Sequence, residues 1–379
     1  MTGKQRFAAV LHGETPDRLP IYIPTVACTV AEQILGRPCH TGADSLHFKE
    51  EKALFLGQSA HEDFLAQYLR DITELYHILG VDVVRDTWRC NGVPSAMPDE
   101  NTLIFGDPDG AHIVKRFFPD TQTYGVVAGT RPAADPDILL EGLEHSLADQ
   151  PELPFSPGSF AAANTVSRAI FAACPDCGAI VSGGGVTFPG YDPTWLQAAA
   201  LEPELVCAYL LRSVRQQIHA MREGAEAGYT FFNGGGDIAG QTGPLVSPAL
   251  FARAIQPAAK AYSDACRALG VIFCYRSDGD MSPLLPLIFE QAGVAAYGEV
   301  DRDAGMTVEM LRQRLPDTII LGNTSSSLLV NATPEAIRAD TRAQLQAAGG
   351  RYFIPGPSNA VVHGTPVANL MAMLEVLHG

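Results

Sequence analysis

The chain lacks the features that characterise membrane, nucleic-acid-binding and secreted proteins. No apolar run approaches the ~18 residues of a membrane span, and no apolar segment follows the charged N-terminal residues as it does in a secretion signal. Lys and Arg number 26 against 42 Asp and Glu, which gives a formal net charge of −16, and no basic cluster occurs. Nucleic acids and anionic membranes are bound mainly through Lys and Arg, so neither is an expected partner. The sequence predicts a cytoplasmic protein.

Cysteine is also sparse, with 8 residues in a chain of 379 and none of the dense spacing of a disulfide scaffold. Reduced thiols are therefore expected. Cys174 and Cys177 have CxxC spacing, which is found in redox dithiols and in half of many zinc sites. Because a second CxxC and a thioredoxin-like context are absent from the sequence, an incidental pair is the favoured interpretation.

What the chain does contain is a regular alternation of short apolar runs and helical patterns, with a polar residue after nearly every run. The pattern is clearest at Tyr229–Phe232 before Asp237, Val271–Tyr275 before Arg276 and Asp278, Ala295–Gly298 before Glu299, Thr318–Gly322 before Asn323, and Tyr352–Ile354 before His363. Strands that are buried on both faces of a sheet have continuous apolar sequences of this kind. The alternation predicts an α/β fold, a (β/α)8 TIM barrel, with functional residues at the C-terminal ends of its strands.

One domain spanning residues 1–379 is expected, because barrels with insertions often exceed ~300 residues. Residues 1–60 are interpreted as an N-terminal extension and residues 100–157 as an excursion outside the barrel. Within the excursion, Gly106–Gly110 separates two alternating runs, which is typical of a hairpin. Other elements expected from the pattern are helices over 3–12, 58–79, 160–173 and 334–348, and strands at 21–23, 81–84 and 179–181.

Three residues are the candidate catalytic centre: Asp278, Glu299 and His363. If they converge, they form a set of hard oxygen and nitrogen ligands that could hold Zn²⁺, or they act without metal as acid and base. Each also has a structural interpretation. Asp278 fits an Asx turn, Glu299 an ion pair with Arg276, and His363 a helix cap or surface position.

Five further residues are candidate substrate-binding positions because they follow predicted strands: Asp86, Trp88, Asp237, Arg276 and Asn323. Asp237 could instead brace its loop, and a Trp is more usually part of a core. The preceding Gly234–Gly236 lacks the Lys and Ser/Thr of a phosphate-binding loop. Close approach of the backbone to a substrate or to a neighbouring strand is therefore the expected reason for these glycines.

Several longer segments resemble the uroporphyrinogen decarboxylase superfamily, and the resemblance covers most of the chain. They are MTGKQRFAAVLHGETPDRLP, GGDIAGQTGPLVSPALFARAIQP, YRSDGD, AGMTVEMLRQRLPDTIILGN and GPSNAVVHGTPVANLMAMLEVL. The chain looks closer to the corrinoid-linked methyltransferases of that superfamily than to its decarboxylases of uroporphyrinogen. Binding the many carboxylates of uroporphyrinogen requires several Arg side chains as donors, and residues 20–60 contain only Arg37.

The resemblance implies a barrel that binds a small O-methyl or N-methyl donor and passes the methyl group to the cobalt of a separate corrinoid protein. Asp-x-His-x-x-Gly is absent from the sequence, so the corrinoid is expected on a partner. Thiol-methylating members hold zinc through His-x-Cys and a later Cys, but these stretches read Arg276–Asp278 and Pro357–Asn359 here. A thiolate zinc site is therefore not expected.

Two other functions stay open at this stage. One is a decarboxylase or lyase in which Arg276 binds the carboxylate of a small substrate. The other is a binding protein without catalysis, which the retained ionisable residues at strand ends disfavour.

Overall fold

The computed structural model describes residues 1–90, 92–130 and 134–379. A 3-10 turn at Arg302–Ala304 and a π-helix at Pro286–Gln291 accompany the α-helices. The α-helices are α1 (Gly3–Leu11), α2 (Cys28–Leu35), α3 (Ala43–Leu56), α4 (Gln58–Leu79), α5 (Pro136–Asp149), α6 (Ser159–Ala163), α7 (Thr165–Ala173), α8 (Pro193–Leu201), α9 (Pro203–Glu226), α10 (Pro248–Ala254), α11 (Gln256–Ala268), α12 (Val308–Arg314), α13 (Ser326–Asn331), α14 (Pro334–Ala348) and α15 (Val367–His378).

The strands form one six-stranded parallel sheet and three smaller sheets. They are β1 (Val83–Val84), β2 (Ala96–Asp99), β3 (Thr102–Gly106), β4 (His112–Phe118), β5 (Thr123–Gly129), β6 (Gly178–Ala179), β7 (Val181–Gly184), β8 (Phe231–Gly235), β9 (Ala239–Gly240), β10 (Gly243–Pro244), β11 (Ile272–Arg276), β12 (Ala296–Gly298), β13 (Ile319–Leu321) and β14 (Phe353–Ile354). The order in the large sheet is β14-β13-β12-β11-β8-β7. The predicted alternation of helices with parallel strands is confirmed.

Residues 21–23 lie between β14, at one edge of the large sheet, and β1, which leads through β6 towards β7 at the other edge. The main-chain N–H of Tyr22 donates to Pro355 O at 3.0 Å, just beyond β14, and Tyr22 also bridges in parallel to Val83 of β1. Next, β1 pairs in parallel with β6, and Ile180 N donates to Val84 O at 3.0 Å, immediately before β7. The segment expected to be an N-terminal extension thus contributes Tyr22 to the strand layer.

Sequence signals at helix ends locate several helices closely. α4 and α14 have the predicted bounds, and Gly80 ends α4 in the left-handed conformation with φ of 61°. Thr333 Oγ1 accepts a hydrogen bond from Ala336 N at the start of α14. The helix predicted over 160–173 is divided into α6 and α7 at Asn164, whose side-chain amide donates to Phe160 O. Such local competition for the backbone is typical of Asn.

Residues 96–129 form a four-stranded antiparallel sheet in the order β2-β3-β4-β5, whose first strand precedes the bounds predicted for the excursion. The hairpin predicted around 106–110 joins β3 to β4. Lys115 of β4 donates to Glu51 of α3 at 2.9 Å, and Tyr124 of β5 donates to the same carboxylate at 2.6 Å. The sheet is therefore fastened to α3 by a buried glutamate.

Aromatic strand residues fill the centre of the strand layer. Phe231, Phe232, Tyr275 and Tyr297 are each at most 2% exposed, as expected for strands covered on both faces. Phe232 and Tyr275 are thus core residues, as predicted. All eight cysteines are free thiols. No helix in the described part of the chain is both long and apolar enough to cross a membrane.

Candidate active site

The register of three parallel strands brings their C-terminal ends to one level. Arg276, the last residue of β11, pairs with Gly235 of β8 on one side and with Gly298 of β12 on the other. The next acidic residue after each of these three strands is Asp237, Asp278 or Glu299. Adjacent parallel strands therefore deliver three carboxylates to the same edge of the sheet.

The carboxylates of Asp237, Asp278 and Glu299 form a cluster, called here the acidic cluster. One oxygen from each lies within 4.8 Å of an oxygen of the others. The main-chain N–H of Asp278 donates to Asp237 Oδ1 at 3.2 Å, and the Asn359 side-chain amide donates to Asp278 Oδ2 at 2.6 Å. Asp237 thus braces the loop of Asp278 and also contributes negative charge beside it.

Burial and the neighbouring charges of Glu299 and Asp237 raise the pKa of Asp278 from 3.8 to about 7, against the opposing effect of the Asn359 hydrogen bond. A carboxyl group is costly to ionise when it is desolvated beside like charges. Near neutral pH a substantial fraction of Asp278 is therefore protonated. A protonated carboxyl group beside a binding cavity can supply a proton to a leaving group.

Glu299 is held in an ion pair with Arg276, which is the structural interpretation that its sequence allowed. Its side chain is 10% exposed, and its backbone adopts φ of 58°, in the left-handed region that non-glycine residues seldom occupy. Such conformations persist where surrounding structure imposes them, and they concentrate at functional sites.

A cavity of about 380 Å³ opens at the ends of β1, β7, β8 and β11. Its polar lining comprises Arg85, Asp86, Thr87, Arg89, Asn164, Ser167, Ser182, Thr187, Asn233 and Arg276, and Trp88 forms part of its wall. Arg276 lines this cavity and connects it to the acidic cluster through its ion pair with Glu299, whereas the three carboxylates themselves are not among the lining residues. The volume suits a small molecule.

Glycines shape the floor of this cavity through close packing of strands. A Cβ on Gly234 would lie 1.5 Å from Gly184 O of β7, so no other residue fits there. Approach of a neighbouring strand therefore accounts for Gly234, in agreement with one of the two reasons predicted for it.

Asp86 and Trp88 line the cavity, as their positions after a strand suggested. Asp86 accepts a hydrogen bond from Tyr68 Oη at 2.8 Å and from Arg89 Nε at 3.2 Å. Trp88 is 70% exposed and packs edge-on against His47, so the core interpretation of this Trp is wrong. It forms an aromatic wall at the cavity rim.

Two predicted site residues lie elsewhere. His363 is exposed, with Nδ1 at 2.9 Å from Thr29 Oγ1, and the described residues place Asp237, not His363, within metal-ligand reach of Asp278 and Glu299. Asn323 is 1% exposed and donates to Val300 O and Met306 O at 2.9 and 2.8 Å. It joins two loops at the strand ends and does not line the cavity.

Arg85 is a cavity residue that was not among the predicted site positions. It is 6% exposed and follows β1 directly, so an Arg at the end of an apolar run was the available signal. Ser182 and Asn233 were also missed, because both lie inside short strands where a small polar residue gives no periodic signal.

The acidic cluster does not match the zinc site of the thiol-methylating members of the superfamily that the chain resembles. It contains no thiolate and no imidazole, Glu299 is already neutralised by Arg276, and Asp278 is engaged by Asn359. Zinc in proteins favours Cys and His ligands, and a neighbouring guanidinium repels a dication. The predicted set of Asp278, Glu299 and His363 is not assembled at ligand distances among the described residues.

The fold and the cluster together define an α/β protein of parallel strands with its ionisable groups at the C-terminal strand ends, as in barrel enzymes. Residues 194–379 match the family model described as Uroporphyrinogen decarboxylase (URO-D). This match over the C-terminal part of the chain confirms the resemblance predicted from its motifs. No curated protein sequence matches it.

Solved structures similar to this chain include the following two. A methyltransferase from Methanosarcina mazei aligns with 100% of this chain and 98% of its own, at 16% identity and a TM-score of 0.61. A putative vitamin-B12 independent methionine synthase from Listeria monocytogenes aligns with 96% of each chain, at 12% identity and a TM-score of 0.47. The first similarity shows a shared fold.

Proposed function

We propose that this protein is a methyltransferase that removes a methyl group from a small O-methyl compound and delivers it to the cobalt of a separate corrinoid protein. The scaffold we infer is a closed (β/α)8 barrel. In support, residues 21–23 connect β14 to β1 through main-chain hydrogen bonds, and the remaining strands continue the layer. The family-model match over residues 194–379 and the fold shared with the Methanosarcina mazei methyltransferase support the reaction class.

The observation that carries the proposal is the acidic cluster, which is joined through the Arg276–Glu299 ion pair to a small polar cavity. Breaking the bond between a methyl group and an ether oxygen leaves negative charge on that oxygen, and a proton donor lowers the cost. Asp278, with its pKa raised to about 7, is protonated in a substantial fraction of molecules at neutral pH. An ether donor needs this proton, whereas a quaternary ammonium donor leaves as a neutral amine without one. An O-methyl donor is therefore favoured over the N-methyl alternative.

The other site residues have supporting roles in this scheme. Arg276 pairs with Glu299 and holds that carboxylate near Asp278, where its negative charge contributes to the raised pKa of Asp278. Asp237 orients the Asp278 loop through the main-chain N–H. Trp88 supplies an apolar wall that limits the access of water to the donor.

The corrinoid supplies the nucleophile that accepts the methyl group. A cavity of about 380 Å³ holds a small donor, so the two reactants would meet across the cavity opening. The chain has no Asp-x-His-x-x-Gly segment for binding a corrinoid in the usual way, which supports a carrier protein as partner. Zinc has no role in this scheme, because the donor set of the acidic cluster does not fit it.

A carboxy-lyase is the second candidate, and the arginines in the cavity favour it. Arg85 and Arg276 line the cavity, so a substrate carboxylate would find cationic partners there. A protonated Asp278 could then protonate the carbanion that remains after loss of CO2.

One experiment separates the two functions. Purified protein is mixed with reduced corrinoid protein and a panel of methoxy compounds, and cobalt absorbance is followed together with CO2 release. A donor-dependent change in absorbance supports methyl transfer. Release of CO2 from a carboxylated compound without corrinoid would overturn the methyltransferase and support the lyase.

A further inference from the structure

We propose that the cavity holds the carboxylate of the substrate against Arg85, so that the methyl donor is a small O-methylated carboxylic acid. This inference rests on the proposed function only in assigning the carboxylate to a methyl donor. The carboxylate site itself stands on the geometry of the cavity. Arg85 and Ser182 form this site, called here the anion subsite.

Arg85 is a buried cation that lacks an ion-pair partner among the described residues. Its Nη1 donates to Tyr22 Oη at 3.1 Å, and its Nε donates to the main-chain carbonyl of Asp86 at 3.1 Å. Both contacts fix the plane of the guanidinium, yet neither supplies a negative charge. A buried charge without a counter-ion is expensive, and a bound anion would compensate it.

The other two cations of the cavity are already paired. Arg276 is paired with Glu299, and Arg89 is paired with both Asp86 and Glu50. Arg85 is therefore the cation that remains available to a ligand among the described lining residues. Glu299 is a carboxylate whose charge acts on Arg85 from a distance, and it is already engaged in the ion pair with Arg276.

Unsatisfied polar atoms surround the same cavity. Ser182 Oγ, Asn233 Oδ1 and Arg276 Nε are buried and have no hydrogen-bond partner among the described residues, and Asn233 as a whole is 5% exposed. All three residues line the cavity. Buried polar atoms normally find partners, so unsatisfied ones around a cavity indicate a polar ligand. Ser182 Oγ and Arg276 Nε can donate to a carboxylate, whereas Asn233 Oδ1 can only accept a hydrogen bond from another part of the ligand.

The charge count selects a carboxylate over a phosphate. A carboxylate carries one negative charge and matches the planar fork of one guanidinium. A phosphate carries nearly two charges at neutral pH, and the nearby Asp86 and the acidic cluster would repel the second. One free guanidinium therefore suits a monoanion.

Paired probes test the subsite without requiring turnover. Binding of methoxyacetate and of its neutral analogue 2-methoxyethanol is measured by calorimetry for the wild type, Arg85→Gln, Arg85→Lys and the control Arg222→Gln. Arg222 lies exposed on α9, away from the cavity. We expect the wild type and Arg222→Gln to bind methoxyacetate at least about tenfold more tightly than the alcohol, and Arg85→Gln to lose that preference.

Arg85→Lys keeps the charge but loses the fork, so its preference should fall between the two. If circular dichroism shows that Arg85→Gln does not fold, Arg85→Lys alone tests whether Arg85 sets the preference. Equal binding of both probes by the wild type, absence of binding of either, or an unchanged preference in folded Arg85 variants would overturn the subsite.

Methyl transfer is then measured with the same two probes. If Arg85→Gln loses the preference for methoxyacetate but the wild type transfers no methyl group from any donor, the anion subsite stands and the methyltransferase proposal is wrong. Equal transfer from both probes would retain the methyltransferase and remove the anion subsite.

Discussion

Asn359 donates a hydrogen bond from its side-chain amide to Oδ2 of Asp278 at 2.6 Å, across 81 residues of sequence. The bond joins the segment after β14 to the loop after β11. It favours the ionised form of Asp278, whereas burial and the charges of Glu299 and Asp237 favour the protonated form. Because the second group of effects prevails, the pKa of this carboxyl group lies near neutrality.

Replacing Asp278 with Asn removes the proposed proton donor. We expect the rate of methyl transfer to fall by roughly 10²–10⁴, the usual contribution of general acid catalysis. In the wild type, the rate should decline as pH rises above about 7, where Asp278 loses its proton. Stopped-flow absorbance of the corrinoid protein between pH 5.5 and 9 measures both effects. Asp120→Asn, an exposed change on the excursion, is the control, and a full rate in Asp278→Asn would remove Asp278 from the mechanism.

Replacing Asn359 with Ala should shift the pH dependence of methyl transfer to higher pH. Without the amide, the ionised form of Asp278 loses a hydrogen bond, so its pKa rises further and the alkaline decline moves to higher pH. The pH at half-maximal rate is the measurement. Asn331→Ala, at an exposed position on α13, should leave it unchanged. A shift to lower pH would contradict the assigned effect of Asn359.

The same pKa shift affects stability. The folded state binds a proton at Asp278 more tightly than the unfolded chain between the ordinary pKa of 3.8 and about 7, so stability from this group is present at low pH and is lost as pH rises through about 7. Asp278→Asn cannot ionise, so its free energy of unfolding relative to the wild type should increase from pH 4 to pH 8. Urea unfolding at these two pH values tests this. A relative stability that falls over the same interval would show that Asp278 is ionised in the native protein.

Much of the fold could be predicted because its strands are short, apolar and separated by capped helices such as α4 and α14. The acidic residues after β11 and β12 could be predicted for the same reason, since each directly follows a strand. His363 was misplaced because a position after the last strand does not say which way a loop turns. Asn323 was misassigned because a buried amide that joins two loops has the same sequence position as a ligand-binding one. Arg85 was missed because its lack of a counter-ion is visible only in three dimensions.

Metal removal tests whether zinc and His363 take part in the reaction. If zinc has no part in the reaction, treatment with a chelator followed by gel filtration should leave methyl transfer unchanged. His363→Ala should keep the wild-type rate, because His363 contacts Thr29 and lies outside the acidic cluster. Elemental analysis accompanies both measurements. Loss of activity on chelation that is restored by zinc, together with an inactive His363→Ala, would re-establish the site that the sequence suggested.

Asn323→Ala separates a structural amide from a substrate-binding one. The side chain donates to the carbonyls of Val300 and Met306, and both bonds are buried. Removing the amide leaves these acceptors without that donor, at about 1–3 kcal/mol for an unsatisfied buried group. We expect the free energy of unfolding to fall by this order while KM for the methyl donor stays near the wild-type value. Asn331→Ala, which loses one exposed hydrogen bond to Ser327 O, should change stability far less. A raised KM in a fully stable Asn323→Ala variant would return Asn323 to the binding site, since only contact with the substrate would produce that combination.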